Sequence, residues 1–316
     1  MRGRRLIAWT LACLALLAAS AAWATPITWI DWRAPKDGGR VYRADGLRLR
    51  FVARLDPSGD APTPVLTVTG HGLPPLRLEG SRAYDDAAAT AIIARFDPAS
   101  KAPVVVFASY TGGAHCCYVF IIAKLQGHYW RTWRTNCDCD LEHGMVRVLA
   151  RGQPPVLILP DHGFDGAFAA HSGSVSPPRI YQFRRGELFD VSTEPAFRTL
   201  YRRSMSVALS ACRRTREPNG GCAALVAEAS LAGQTQFAWK EALAHYDRSS
   251  QTYPSGCRVK SASGECENAA WIVFDSFPKS LRWFLWRQGY APTMAPFACE
   301  SDFCPVPWPT SQPPSE

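Results

Sequence analysis

The residues most capable of chemistry in this 316-residue sequence form a histidine and cysteine cluster. His115 stands beside Cys116 and Cys117, and two more cysteines follow at Cys137 and Cys139. Imidazole nitrogens and thiolates are ligands that zinc and copper prefer, and a cysteine beside a histidine can also act as a nucleophile. Metal binding and nucleophilic catalysis both need reduced thiols. The redox state of the compartment in which the protein folds therefore decides whether these cysteines can perform either chemistry.

A second group of polar residues lies in the loop from Asp161 to Asp165. This loop follows a short apolar segment, Val156 to Leu159, which predicts a buried strand. Loops in this position often carry binding and catalytic residues, although a solvated turn is the simpler interpretation. If the protein is an enzyme, we expect the two loops to share one concave pocket. The sequence contains no Gly-x-Ser-x-Gly, phosphate-binding loop or His-Glu-x-x-His motif. The candidate binding residues of the two loops are Thr111, Gly112, Gly113, His115, Asp161, His162 and Asp165.

The N-terminus has the pattern of a secretory signal peptide. Three arginines precede an apolar stretch that ends at about Ala19, and the small-residue motif Ala22-Trp23-Ala24 follows. We expect cleavage near Ala24 and a periplasmic or secreted mature protein. A twin-arginine signal at Arg4-Arg5 and a lipidated Cys13 are alternatives. No later stretch approaches the roughly 18 apolar residues of a transmembrane helix, which predicts no transmembrane segment in the mature chain.

Export favours disulfides over metal ligation. The eleven cysteines less Cys13 leave ten, an even number, and these ten lie in close groups. The sequence therefore predicts no metal site and no cofactor. Within the first group a vicinal Cys116–Cys117 bond is the main alternative pairing. The predicted pairs are Cys116–Cys137, Cys117–Cys139, Cys212–Cys222, Cys257–Cys266 and Cys299–Cys304.

The Cys116–Cys137 pair depends on the register of a predicted hairpin. We expect its two-residue turn at Gln126-Gly127, between two apolar and aromatic strands. Such a turn places Cys116 opposite Cys137 and Phe120 opposite Trp133, all on one face.

Apolar patterning changes near Ser192. Before it, short β-branched segments alternate with Gly and Pro turns, which predicts antiparallel strands, and the segment from Val104 to Phe107 suits a strand buried on both faces. After it, apolar residues recur at helical spacing. The sequence predicts an α+β protein with a signal peptide at 1–24, a repeated antiparallel β domain at 25–192 and an α-rich, disulfide-stapled region at 193–316.

Several helices are predicted in the second half. Gly220-Gly221 and Gly233 are expected to break the first three from one another. A later helix from Pro278 to Gln288 is apolar over most of its circumference, which predicts burial. Gly289 suits the left-handed position that often ends a helix.

A weak repeat runs through the β half. Ala-Pro-Val-Val-Val from Ala102 is echoed by Pro-Pro-Val-Leu-Ile from Pro154. A period of about 50 residues is typical of propeller blades, and two similar hairpins in a β-sandwich explain it equally well.

The segment from Arg95 to Cys117, which ends in Gly-Gly-Ala-His-Cys-Cys, resembles the start of a blade in exported bacterial proteins of the FG-GAP and VCBS type. The resemblance covers about Ala94 to Ser192 and implies a partial propeller-like or sandwich architecture more than an activity. Such repeats often bind calcium in an aspartate-rich loop. Here Asp97 lacks the alternating acidic neighbours that calcium needs.

Net charge says little about function. The formal charge of +8 comes from scattered basic pairs, and an exported protein rarely meets nucleic acid, so we expect no nucleic-acid partner. The eleven tryptophans fill cores or stack on sugars or peptides. We predict an exported, non-catalytic envelope or binding protein whose ligand is an envelope polymer, a glycan or a protein. The alternative is a periplasmic enzyme or metal-binding protein that uses the Thr111–Cys117 and Asp161–Asp165 loops.

Overall fold

The computed structural model describes residues 27–290 except for short internal segments. The chain divides into two compact units. The β unit consists of Met1–Leu159 and Ile180–Asp190. The helical unit consists of Pro160–Arg179 and Val191–Glu316. The predicted domain boundary after residue 192 stays a prediction. The internal segments outside the description are 35–36, 56–61, 83–86, 98–99, 101, 113–117, 138–143, 150–152, 185, 215, 258–265 and 267–269.

Thirteen of the described strands form three sheets. The first, in order β2-β3-β4-β5, contains β2 (Val41–Ala44), β3 (Leu47–Leu55), β4 (Pro62–Gly70) and β5 (Leu76–Glu79). The second, in order β1-β6-β7-β8-β9, contains β1 (Thr28–Arg33), β6 (Ala88–Ala94), β7 (Val104–Tyr110), β8 (Tyr118–Gln126) and β9 (Tyr129–Cys137). The third contains β10 (Val146–Arg147), β11 (Val156–Pro160), β12 (Pro178–Arg184) and β13 (Glu187–Asp190).

The central strands β6, β7 and β8 of the five-stranded sheet are buried on both faces. Alternate residues of a strand point to opposite faces, so Phe107 of β7 packs against Phe51 of the first sheet, with ring centroids 6.3 Å apart. Val106, on the other face, belongs to a core with Leu157 of the third sheet. The three sheets therefore form layers, and the prediction that Val104–Phe107 is a doubly buried strand is confirmed.

The β8–β9 hairpin differs from its predicted register. Tyr118 lies opposite Cys137 and Ile122 opposite Trp133, so the turn is Gly127-His128. The predicted placements of Phe120 opposite Trp133 and of Cys116 opposite Cys137 are therefore both wrong. Gly127 has a φ of 62°, and a glycine at the first central position is what a type II′ turn requires. The predicted turn would have placed Gln126 in a left-handed conformation that costs energy for a residue with a side chain.

The helical unit contains four described helices and short connecting elements. This confirms the α+β class. No described helix is both long enough and apolar enough to cross a membrane. Its elements are η1 (His162–Phe164), η2 (His171–Gly173), η3 (Pro195–Phe197), α1 (Arg198–Arg214), α2 (Pro218–Ala232), α3 (Thr235–His245), β14 (Gly256–Cys257), β15 (Trp271–Ile272) and α4 (Phe277–Arg287).

Helix α2 is enclosed by its neighbours because two glycines allow close approach. An added Cβ at Gly220 would lie 2.3 Å from the carbonyl oxygen of Gly173, and one at Gly221 would lie 2.5 Å from the amide nitrogen of Cys212. The prediction that these glycines separate two helices is wrong, since α2 already begins at Pro218, a residue suited to a first turn. Packing outweighs the low helix propensity of glycine here.

Two predicted disulfides are confirmed. Cys212–Cys222 joins the last turn of α1 to α2 with a Cα–Cα distance of 4.5 Å, and Cys257–Cys266 spans 5.8 Å. The other predicted pairs include Cys116, Cys117, Cys139, Cys299 and Cys304, which lie outside the described residues, and these pairings stay predictions.

One carboxyl group lies inside the helical unit. Glu228 of α2 is 2% exposed, and its Oε2 has no hydrogen-bond partner among the described residues. Burial raises the pKa of this carboxyl to about 8, while a hydrogen bond from Ser204 of α1 acts in the opposite direction. The folded protein therefore holds Glu228 protonated at neutral pH.

The buried face of α4 gives the first testable prediction. Leu285 is completely buried, whereas Leu243 of α3 is 44% exposed. We expect Leu285→Ala to lower the free energy of unfolding by about 2–5 kcal/mol because it leaves a cavity. Leu243→Ala is the control, and its loss should stay within about 0.5 kcal/mol. Urea denaturation measures both, and similar losses in the two variants would contradict the core assignment of Leu285.

Glu228 predicts a dependence of stability on pH. Below pH 4.5 the Glu228 carboxyl is protonated in the folded and in the unfolded protein. Between pH 4.5 and about 8 it is ionised in the unfolded protein and still protonated in the folded protein. The free energy of unfolding should therefore fall as pH rises through this window, by at most about 5 kcal/mol. Glu228→Gln should remove this part of the slope in denaturation measured at pH 5 and pH 8. Equal slopes in the wild type and the variant would show that Glu228 is not the titrating group.

Candidate functional site

The two predicted loops lie in different units of the chain. Thr111 and Gly112 follow β7 in the β unit, and Gly112 has a φ of 79°, which supports the predicted glycine turn. Gly113 and His115 lie outside the described residues. The loop from Asp161 to Asp165 belongs to the helical unit. A pocket formed by both loops therefore stays a prediction.

Asp161 is the centre of a hydrogen-bond network within the helical unit. Its Oδ1 accepts a 2.9 Å bond from the Gly163 amide and so caps η1. Its Oδ2 accepts bonds of 2.9 Å from Arg179 Nε and from the Tyr290 hydroxyl. The Asp161 and Arg179 side chains are only 12% and 11% exposed. Three donors thus hold this carboxylate, which indicates a structural role.

Tyr290 completes the network on the other side of Arg179. The guanidinium carbon lies 4.1 Å from the centroid of the Tyr290 ring, and Arg179 Nη2 donates to the carbonyl oxygen of Gln288. Burial raises the pKa of the Tyr290 hydroxyl well above its ordinary value; Arg179 opposes this shift and Asp161 adds to it. The hydroxyl therefore remains a donor, and the network ties η1 to the chain that follows α4.

Asp165 has a partner that the sequence did not suggest. Its Oδ1 lies 2.7 Å from Nδ1 of His171. The His171 side chain is 43% exposed. A carboxylate in this position orients an imidazole, as in many catalytic and metal-binding histidines. Among the residues that the structure describes, no group of three or more His, Cys, Asp and Glu side chains is placed to hold a metal ion.

A polar cleft of about 290 Å³ opens next to the same segment of the helical unit. Asn219 holds its walls together, because its Oδ1 accepts a 2.8 Å bond from the Asp247 amide. Glu217 Oε2 accepts a 2.8 Å bond from the Ala170 amide. We call this site the acidic cleft, since the described residues that line it include two carboxylates and no basic side chain. Its lining residues are Phe168, Ala169, Ala170, Glu217, Pro218, Asn219, Asp247, Ser250, Gln251 and Thr252.

Both carboxylates of the acidic cleft are available to a ligand as hydrogen-bond acceptors. Glu217 is exposed and Asp247 is partly exposed. Hydrogen bonds from the Ser249 side chain and backbone lower the pKa of Asp247, so this group is ionised at neutral pH. The sequence does not single out these residues, because three separated segments supply them and their only local signal is the proline after Glu217.

The Asp161 network predicts strong coupling between its two charged members. Arg179→Met should lower the free energy of unfolding by about 3–5 kcal/mol, since it leaves the Asp161 carboxylate without its cation. In the double variant Arg179→Met/Asp161→Asn, the loss should be smaller than the sum of the two single losses. A double-mutant cycle by chemical denaturation measures the difference. Additive losses would mean that the two side chains do not stabilise each other.

A comparison with family models finds a match in the helical region. The model described as the sll0997 C-terminal domain matches residues 198–289. The match starts at the first residue of α1 and ends just after α4, and it includes the part of the acidic cleft from Glu217 to Thr252. The helical region is therefore the part of the chain that is similar to this family.

Two relatives extend the similarity over most of the chain. The probable thylakoid lumen protein sll0997 of Synechocystis sp. is 29% identical over 263 residues, which cover 81% of this chain and 76% of that protein. The uncharacterized protein y4bJ of Sinorhizobium fredii is 30% identical over 278 residues, or 82% of this chain, but the alignment covers only 43% of y4bJ. No solved structure matches the chain significantly. None of these descriptions mentions FG-GAP or VCBS repeats, so that predicted resemblance has no support from the comparisons.

Proposed function

We propose that the protein is exported and acts as a non-catalytic binding protein, with the acidic cleft as its binding site. The signal-peptide pattern up to Ala24 supports export to the periplasm or beyond. The similarity to a probable thylakoid lumen protein supports a compartment on the far side of a membrane. Two disulfides suit such an oxidising compartment.

The lining of the acidic cleft is the observation that carries the proposal. Glu217 and Asp247 provide carboxylates, and Ser250, Gln251 and Thr252 add neutral hydrogen-bonding groups. Acceptors of this kind suit a ligand rich in donors, above all one with an amine, and repel an anion. The volume of about 290 Å³ lies at the lower end of ligand pockets, which suits a molecule the size of one sugar ring.

The second candidate is a periplasmic enzyme that uses the Asp161–Asp165 loop. The 2.7 Å contact between Asp165 and His171 favours it, because an oriented imidazole can accept a proton from a substrate. Asp161 contributes little to such a site, since Arg179 and Tyr290 already engage its carboxylate. The Thr111–Cys117 loop would have to supply the remaining groups.

Three related sugars test the binding proposal. Titration calorimetry should give the tightest binding for glucosamine, at least tenfold weaker binding for glucose and no binding for glucuronate, because the amine pairs with Glu217. Glu217→Gln keeps the acceptor for the Ala170 amide and removes the charge, so it should weaken glucosamine binding about tenfold, or about 1.4 kcal/mol. Asp190→Asn, an exposed carboxylate of the β unit, is the matched control and should have no effect.

Other outcomes contradict the proposal in distinct ways. Binding of glucuronate as tight as that of glucosamine, or no binding of any of the three sugars, would overturn the acidic cleft as the site. Mass spectrometry of recovered ligand should show it unchanged. If the wild-type protein converts the ligand to a product and the His171→Asn variant does not, the non-catalytic role would be overturned in favour of the second candidate.

A further inference from the structure

The outer face of the first sheet carries a row of exposed arginines. Along β3, Leu49 and Phe51 point into the core, so Arg48 and Arg50 point to the opposite face, where both are exposed. Arg43 of β2 lies directly opposite Arg48 in the antiparallel ladder and is exposed as well. We call Arg43, Arg48 and Arg50 the arginine face.

Two members of the arginine face form a like-charge pair across neighbouring strands. Side chains directly opposite each other in an antiparallel ladder have Cβ atoms about 4.5–5.5 Å apart, and like charges in these positions destabilise the sheet. The sheet therefore pays a cost in the free protein at Arg43 and Arg48. A bound anion would remove this cost.

The described carboxylates nearest the arginine face are held by other arginines. In the part of the chain that the structure describes, Asp37, Asp45 and Glu79 each contact another arginine, and the arginine face makes no ion pair with a described residue. Asp45, at the β2–β3 turn, is held by Arg95 Nε at 2.9 Å. The pairs are Asp45–Arg95, Glu79–Arg54 and Asp37–Arg40.

A cavity adjoins the arginine face. Its volume is about 520 Å³, and its lining where the β2–β3 and β4–β5 turns meet includes Arg43, Arg48, Thr69 and His71. Asp45 also lines this cavity, and its carboxylate is held by Arg95. Thr69 lies directly opposite Arg48, on the side away from β2, and Thr67 lies opposite Arg50 in the same way. Each arginine of β3 thus has a threonine hydroxyl as its neighbour across the ladder.

We propose that the arginine face and its cavity bind an acidic oligosaccharide, through its carboxylates to the arginines and its hydroxyls to the threonines. Arginine forks match the geometry of carboxylates in two-point contacts. Arg48 and Arg50 are two residues apart, so their Cα atoms are about 6.6–6.8 Å from each other along β3. This spread suits a chain that repeats its anionic groups better than a single small anion. The site is independent of the acidic cleft, which has the opposite charge.

Oligogalacturonate, which carries one carboxylate per sugar, is the probe for the arginine face, and neutral dextran oligomers are the uncharged comparison. Calorimetry at low salt should show binding of oligogalacturonate and none of dextran. The triple variant Arg43→Gln/Arg48→Gln/Arg50→Gln should bind at least thirtyfold more weakly. The control Arg202→Gln/Arg203→Gln/Arg216→Gln removes the same charge from exposed positions of the helical unit and should change binding less than threefold.

The midpoint temperature of thermal unfolding shows whether the variants fold. Since Arg43→Gln removes half of a like-charge pair, the midpoint should stay the same or rise in the absence of ligand. If both triple variants lost binding equally, the loss would be due to the lower net charge of the protein, and the proposal that the arginine face is the binding site would be overturned. Tighter binding of a duplex DNA oligonucleotide than of oligogalacturonate would overturn the assignment of the ligand.

Discussion

Burial of the central strands β6, β7 and β8 on both faces of the five-stranded sheet is the constraint on which the β unit depends. A strand in this position has no face for polar side chains, so Val105 and Phe107 serve one core and Val104 and Val106 the other. Charged groups of the β unit lie on its outer sheets, on the edge strands β1 and β9, at strand ends or at buried positions with a partner. Lys124 shows the last case, since it is buried but lies 3.0 Å from Asp97. The outward residues of β3 are one place where the unit exposes charge.

In the helical unit, the burial of α2 is the corresponding constraint. Because this helix is covered by α1, α3 and η2, contact requires glycine at positions 220 and 221, and the Cys212–Cys222 bond joins the helices at the same point. The beginning of α2 is also where three segments meet, and their hydrogen bonds through Asn219 leave the acidic cleft open between them. The tight packing that buries Glu228 and the acidic cleft are thus features of one helix.

The two sites have opposite charge, which bears on what the protein does. Under the two proposals, the acidic cleft of one unit takes a ligand with an amine, and the arginine face of the other takes an acidic glycan. The network around Asp161 uses its charges for stability, and this explains why a polar loop after a buried strand need not be a binding site.

Sequence alone determined much of the fold, because periodicity and turn chemistry are local. The doubly buried strand at Val104–Phe107, the α+β class and two short-range disulfides follow from spacing within a few residues. The β8–β9 register could not be determined in this way: a shift of two residues keeps every side chain on its face, and only the turn geometry at Gly127 separates the alternatives. Tertiary structure alone placed Arg179 and Tyr290 on Asp161, and Asp247 beside Asn219, since these contacts join residues far apart in the chain. It also decided that Gly220 and Gly221 lie within a helix, because only the neighbouring backbone shows why a Cβ cannot fit.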